Sequence, residues 1–312
     1  MRVVVLGAGI SGLSTATLLR QRGDEVIVVS AHPTEATTSH LAAAVWFPTA
    51  AAPADKVASW GTTTYDVLAA EAARGVPGVV MRESLVLYRD EPQPQPWAEA
   101  VGDIRPARPD ELPPGYSHGL RFAVPLVEMP TYLPWLYRQY LDGGGQQETR
   151  RIDRLDDLED LQPDVIVNCA GLAAGVLVGD TSTYPIRGQI VRVTNPGLTL
   201  SVRDEHHPAG RAYVHPRTND CILGGSLDAG AWDTRVNDEL TESIVDRCTG
   251  LVPALAEAEV IEALVGLRPG RPEVRLERDE GHGVPVVHNY GHGGSGITLA
   301  WGCAADAVRA CG

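Results

Sequence analysis

The sequence predicts an α/β fold in which a parallel, nucleotide-binding sheet is interleaved with an antiparallel one. Three observations carry this. The apolar run Val3–Leu6 feeds directly into Gly7-x-Gly9-x-x-Gly12, followed by an apolar-periodic helix (Leu13, Ala16, Leu18, Leu19) and a second strand at Glu25–Val29. Asp164–Asn168 is a continuous apolar stretch, the pattern of a strand covered on both faces. From 186 to 277 the character changes to strand patterns at 186–194, 211–216, 220–225 and 260–267, broken by one helix near 238–250. Both chain ends and the 164–171 strand thus belong to one Rossmann-like domain, assigned to 1–53, 135–183 and 283–312. The antiparallel segments, 54–134 and 184–282, form a second domain with a ligand cleft at the junction.

Taken in order, the strand–glycine turn–helix start is the arrangement a dinucleotide pyrophosphate requires. Gly7 permits the tight turn, Gly9 lets backbone N–H groups approach phosphate, and Gly12 lets helix and strand pack closely. The helix N-terminus then faces negative charge. An acidic residue is expected to bind ribose at the end of the second strand, but Ser30-Ala31-His32 stands there. Residues 37–48, rich in Thr, Ser and Ala, read as an ordered loop. Residues 60–74 have helical periodicity, 84–89 alternate like a strand, and 91–115 are proline-rich and irregular (prolines 92, 94, 96, 106, 109, 113 and 114). A strand at 119–128 precedes a helix at 131–141 that starts behind Pro130. A sharp turn at Ala170-Gly171 follows the buried strand. A short strand at 284–288 and a helix at 296–310 behind a glycine-rich lead-in end the chain.

Composition narrows the function. The chain has 312 residues and a formal net charge of −14, which argues against nucleic acid or an anionic membrane as partner. Five cysteines without a CxxC pair argue against a zinc or disulfide framework and for reduced thiols in the cytoplasm, with a Cys221–Cys248 bridge left open. No apolar run approaches the roughly 20 residues of a membrane span, and the N-terminal apolar segment is too short for a signal peptide. His206-His207 read as solvated surface, His215 as a structural histidine, and no metal site is expected.

Several segments, in order, resemble the D-amino-acid oxidase family, which includes D-aspartate oxidase. They are Val3–Ala16, Thr37-Thr-Ser-His-Leu-Ala-Ala-Ala-Val-Trp46, Tyr132–Leu136, Asp164–Gly171, Arg187–Ile190, Gly266-Leu-Arg-Pro-Gly-Arg-Pro-Glu-Val-Arg-Leu-Glu277, and His288–Thr298 with Trp301–Cys303. The resemblance covers nearly the whole chain. It implies a flavoprotein oxidoreductase with non-covalent FAD, in which the parallel sheet binds FAD and the antiparallel sheet binds substrate. It also implies oxidative deamination of D-amino acids, with hydride passing from Cα to flavin N5 and molecular oxygen yielding hydrogen peroxide. The imino acid hydrolyses to a 2-oxo acid and ammonia. A homodimer is among the assemblies it allows.

By the same resemblance, Arg271 and Tyr213 are the catalytic pair that clamps the substrate carboxylate. Arg271 supplies a planar fork and Tyr213 an uncharged donor. From spacing alone, an arginine placed like Arg271 reads as surface or ion-paired, and Arg268 is its nearby competitor. Gly294 offers a carbonyl to the substrate amine, and Phe47 lies near the side chain, favouring neutral or apolar substrates. FAD contacts are expected from Gly7, Ala8, Gly9, Ile10, Ser11, Gly12, Thr37, Thr38, Ser39, Ala44, Val45, Ile152, Ala170, Arg271, Gly293, Gly294, Gly296, Ile297 and Thr298. A second, lid tyrosine of eukaryotic relatives is replaced by Ala209, which implies a more open entrance. D-aspartate oxidation is the alternative, with Arg211, Arg217 or His215 as the cation for a distal carboxylate. A glycine or sarcosine oxidase of the same superfamily and a flavin-binding sensor without turnover are the others.

Overall fold

The computed structural model describes residues 1–48, 51–93, 95 and 97–312; Pro94 and Pro96 of the irregular stretch lie outside the described residues. The strands are β1 Arg2–Leu6, β2 Glu25–Ser30, β3 Val79–Tyr88, β4 Arg105–Pro106, β5 His118–Val127, β6 Gln146–Thr149, β7 Val165–Asn168, β8 Tyr184–Thr194, β9 Ser201–Asp204, β10 Ala212–Pro216, β11 Asp220–Gly224, β12 Asp228–Ala229, β13 Val260–Gly270, β14 Arg275–Asp279 and β15 Val286–Tyr290. The helices are α1 Ile10–Arg22, α2 Ala54–Ala73, α3 Ala98–Val101, α4 Met129–Asp142, α5 Leu172–Leu177, α6 Asp238–Leu251 and α7 Gly296–Cys311.

The first sheet has the order β14-β15-β7-β1-β2-β6. Its four central strands are parallel, with Val4 paired to Ile27 on one side and Ile166 on the other. Strand alternation splits its apolar residues between two cores. Val3, Val5, Val26, Val28, Val165 and Val167 pack on one face with Ala16 and Leu19 of α1 and Ala307 of α7. Val4, Leu6, Ile27, Val29 and Ile166 pack on the other with Leu155 and Leu158. Both faces are covered, which is why these strands are almost purely Val, Ile and Leu.

The second sheet runs β12-β8-β11-β10-β9-β3-β5-β4, with β13 also pairing β8. It is antiparallel except where β3 joins β9 in parallel, Leu85 beside Val202. Its core sets Val191, Val193, Val214 and Leu223 against Ile244, Cys248 and Leu251 of α6. All five cysteines are buried and free, Cys221 and Cys248 included.

The expected boundaries shift in two places. The cut at 134/135 falls inside α4, which packs on α1 through a shared core of Leu13, Tyr132, Leu133 and Leu136. Strand β14, assigned to the antiparallel part, pairs with β15 and so extends the parallel sheet to residue 275. Within 91–115 the structure places α3, β4 and a turn of 3-10 helix at Pro109–Glu111.

Candidate active site

One cavity of about 570 Å3 runs from the β1–α1 turn, along residues 36–47, to the face of the second sheet. That volume lies within the range of small-molecule sites. At one end, Gly7 adopts φ 102° and a Cβ there would lie 2.6 Å from the Cys169 carbonyl oxygen. A Cβ on Gly12 would lie 1.9 Å from the Gly7 carbonyl oxygen, so Gly12 serves strand–helix packing. Helix α1 starts at Gly9 with no side-chain cap and no acidic residue in its first turn. Its positive end is therefore left for a ligand's negative charge. The Ile10 N–H donates to Ser39 Oγ at 3.0 Å, which ties the 37–47 segment to that turn. Helix α7 likewise begins without a side-chain cap or acidic residue, behind the cavity-lining Gly293, Gly294 and Gly296. This glycine cradle, with two helix starts whose own N-cap residues supply no side-chain bond, fits the negative charge of a dinucleotide.

Most of the sequence-expected residues line this cavity: Gly7, Ala8, Gly9, Ile10, Ser11, Thr37, Thr38, Ser39, Ala44, Val45, Phe47, Ile152, Ala170, Tyr213, Gly293, Gly294, Gly296 and Ile297. Three do not. Gly12 is covered by the close contact just described. The Thr298 hydroxyl is engaged with the Phe47 backbone, accepting from its N–H at 3.1 Å and donating to its carbonyl at 3.2 Å. Arg271 is not in the cavity wall, and its Nε donates to Asp180 Oδ2 at 3.0 Å and its Nη1 to the Glu273 carbonyl at 2.9 Å. Burial works to raise the Asp180 pKa. Hydrogen bonds from Ser182, Tyr290 and Arg271 outweigh it and hold the carboxyl well below its usual range. Arg271 is thus the ion-paired arginine that its spacing alone suggests.

The arginine in the cavity wall is Arg268. Leu264, Gly266, Leu267, Arg268 and Pro269 of β13 all line the cavity, whereas Arg271 lies past the strand's end at Gly270. The Arg268 guanidinium lies over Gly188 of β8, where a Cβ would come within 2.0 Å of Nη1. Its Nη1 donates to the Ser226 carbonyl at 3.2 Å, and among the described residues no carboxylate pairs with it. The ring of Tyr213 lies over Gly224, where a Cβ would come within 1.9 Å. Burial raises the Tyr213 pKa against the pull of Arg268 and Arg203, so the phenol keeps its proton.

Behind Tyr213, His215 stacks on its ring with centroids 4.6 Å apart and shares a 2.6 Å hydrogen bond with Ser201. Burial, helped by Arg203, holds the His215 pKa well below its ordinary value. His292, also in the wall, is pushed down to about 4 by burial. Arg203 was not foreseen. It is buried on β9, its guanidinium lies 4.0 Å from the Phe47 ring centroid, and among the described residues its Nε and Nη1 have no hydrogen-bond partner. The nearest carboxylate, Glu205, is 3.6 Å from Nε and also pairs with Arg211 at 3.2 Å. Arg217 is committed elsewhere, to Asp220 at 2.5 Å. Ala209 lies in an exposed turn outside the cavity wall, held by Arg247 through the carbonyls of Ala209 and Arg211. At the far end, Ser30, Ala31 and His32 share the wall with Arg150 and Arg151, and Glu205 is the sole carboxylate in the wall among the described residues.

This fold and cavity are those of a dinucleotide-binding protein. The chain belongs to the FAD dependent oxidoreductase family, whose model matches residues 2–310. It is 48% identical to a D-amino-acid oxidase of Rubrobacter xylanophilus, covering 100% of this chain and 96% of that protein. It is 36% identical to the D-aspartate oxidase of Homo sapiens, covering 99% and 94% respectively. A solved glycine oxidase from Geobacillus kaustophilus shares the fold with a TM-score of 0.81 at 18% identity, over 99% of this chain and 95% of that one. Among the described residues, no helix is long and apolar enough to cross a membrane.

Proposed function

We propose that this chain oxidises D-amino acids. The substrate loses two electrons and two protons to give an imino acid, water hydrolyses that to a 2-oxo acid and ammonia, and dioxygen leaves as hydrogen peroxide. The observation that carries the reading is Arg268, a guanidinium without a carboxylate partner, facing the same cavity as Tyr213 and the Gly293–Gly294 turn. Arg268, in place of Arg271, forks the α-carboxylate, and Tyr213 adds a hydrogen bond without adding charge. The Gly294 carbonyl accepts from the substrate amine. FAD, bound along the Gly7–Ser11, Thr37–Val45 and Gly293–Ile297 segments with Ile152 and Ala170, supplies the electron acceptor. The chain's own contribution is positioning. The three contacts fix which face of Cα is presented, and neutral His215 and His292 add no competing charge beside the substrate amine.

A second reading concerns the side chain. Phe47 in the wall favours neutral or apolar substrates. Arg203, buried against that same ring with two nitrogens unpartnered, favours D-aspartate or D-glutamate instead. Initial rates of peroxide release with D-alanine, D-valine, D-aspartate, D-glutamate, glycine, sarcosine and L-alanine separate the two. Rates confined to glycine and sarcosine favour a glycine-type amine oxidase. Background peroxide across the panel, with flavin bound, refutes the oxidase reading and favours a sensor. The reading also places the protein in a reducing cytoplasm, supported by its free buried cysteines, and as a homodimer, which sedimentation velocity would check.

A further inference from the structure

The β14–β15 hairpin carries a cluster outside the cavity wall. Asp279 ends β14, His282 lies in the connecting turn, and His288 sits on β15 opposite Glu277. One ligand atom from each lies within 4.8 Å of the others. Asp279 Oδ2 is 3.6 Å from the Nε2 of His282 and 3.6 Å from the Nε2 of His288. The two imidazoles approach edge to face, with centroids 6.5 Å apart. His288 is fully buried, and among the described residues neither of its ring nitrogens has a hydrogen-bond partner. A buried imidazole ordinarily satisfies at least one, and 3.6 Å is too long for a hydrogen bond.

We propose that Asp279 Oδ2, His282 Nε2 and His288 Nε2 bind one divalent transition-metal ion of the zinc class, with water as the remaining ligand. Two imidazoles and one carboxylate are the donor set such ions prefer. With metal–ligand bonds of about 2.0–2.2 Å, tetrahedral ligands lie about 3.3–3.6 Å apart. The two 3.6 Å spacings therefore need little movement. The Gly281 N–H donates to Asp279 Oδ1 at 2.7 Å, which holds the carboxylate with Oδ2 inward. Arg275 Nη2 also comes within 3.5 Å of that oxygen, but its stronger partners are Glu277 at 2.7 Å and the Tyr290 hydroxyl at 2.9 Å. Asp279 and His282 are partly exposed, which gives the ion a way in. The ion would pin the hairpin turn to β15, the strand that leads into the Gly291–Gly294 segment.

The test uses untagged, FAD-loaded protein treated with a chelator and then dialysed against Zn2+ alone. The expected result is saturable uptake of one ion per chain, with a rise of several degrees in Tm. His282→Ala, a change in a turn, and Asp279→Asn, which preserves volume, each weaken uptake by about tenfold or more and remove the Tm rise. Absence of saturable uptake by the wild-type chain at micromolar Zn2+ overturns the proposal. So does uptake with an unchanged Tm rise in both variants, since that places the ion elsewhere. None of these readouts depends on oxidase activity.

Discussion

Replacing Arg268 and Arg271 separately by alanine tests the assignment of the carboxylate-binding arginine. The Arg268 guanidinium has one hydrogen bond within the protein, to the Ser226 carbonyl at 3.2 Å, and no ion pair among the described residues, so its charge is available to substrate. Hydrogen bonds to a charged group contribute about 1.5–3 kcal/mol each, and a fork makes two. Arg268→Ala therefore loses roughly 3–5 kcal/mol of transition-state stabilisation, a fall in kcat/KM between about a hundredfold and a few thousandfold. Arg268→Lys keeps the charge without the fork and falls between this variant and wild type. Arg271 instead bonds Asp180, which keeps Ser182 and the Tyr290 hydroxyl at 2.9 Å when the arginine is removed. Arg271→Ala costs about 1–2 kcal/mol of stability, read by urea unfolding, and leaves kcat/KM within about threefold of wild type. Peroxide-coupled initial rates with the best D-amino acid supply the kinetic side. A hundredfold loss in Arg271→Ala beside near-normal Arg268→Ala would refute the reasoning.

Three further outcomes follow from the same geometry. Gly188→Ala places a methyl 2.0 Å from Arg268 Nη1; it should displace the guanidinium and lower kcat/KM by about tenfold to a hundredfold, with Tm nearly unchanged, as kinetics and calorimetry would show. His292 is held near pKa 4 in the folded chain against an ordinary 6.5. The unfolded chain binds the extra proton between those values, so the stabilising contribution is complete above pH 6.5 and is lost as pH falls toward 4. It amounts to on the order of 3 kcal/mol, and His292→Gln should flatten the pH dependence of urea unfolding in that window by a comparable amount. Arg203→Met keeps the apolar stem packed on Phe47 and removes the charge. It should depress rates with D-aspartate and D-glutamate while sparing D-valine, and equal losses on all three would remove Arg203 from side-chain recognition.

The parallel half was legible because its strands are covered on both faces and therefore spelled in Val, Ile and Leu. Strand β6, reading Gln-Gln-Glu-Thr, was not, because an edge strand held by backbone pairing to β2 needs no apolar side chains. Strand β9 was missed for a related reason: only four residues long, it gives too little alternation to read. Arg203 went unrecognised with it, although the strand period puts it on the cavity side of β9. The choice between Arg268 and Arg271 depended on where β13 leaves the cavity. Motif position favoured Arg271, while the stretch of β13 that reaches the cavity wall ends at Pro269 and so includes Arg268 but not Arg271. The Asp279-x-x-His282…His288 spacing was also present, but it becomes informative only once the hairpin brings β14 beside β15.

The segment from Thr37 to Phe47 explains how two separately built sheets share one site. Ser39 accepts from the Ile10 N–H at the start of α1, and the Thr38 hydroxyl donates to the Leu267 carbonyl on β13 at 3.1 Å. The Ala44 carbonyl accepts from Val127 at 2.9 Å, and the Trp46 N–H donates to the Pro125 carbonyl at 2.8 Å, both on β5. Phe47 then bonds Thr298 on α7 and stacks on Arg203 of β9. Ala44 takes φ 54°, a conformation that costs a non-glycine residue about 1 kcal/mol or more. The backbone bonds on both sides hold it there, because relaxing that residue would break the register with β5 or with α7. A movement of this segment therefore shifts the cofactor wall, the Arg268 strand and the side-chain wall together. On the proposed reading, catalysis by positioning would draw on that coupling, because the segment joins the Gly7–Ser11 turn to the strand that carries Arg268.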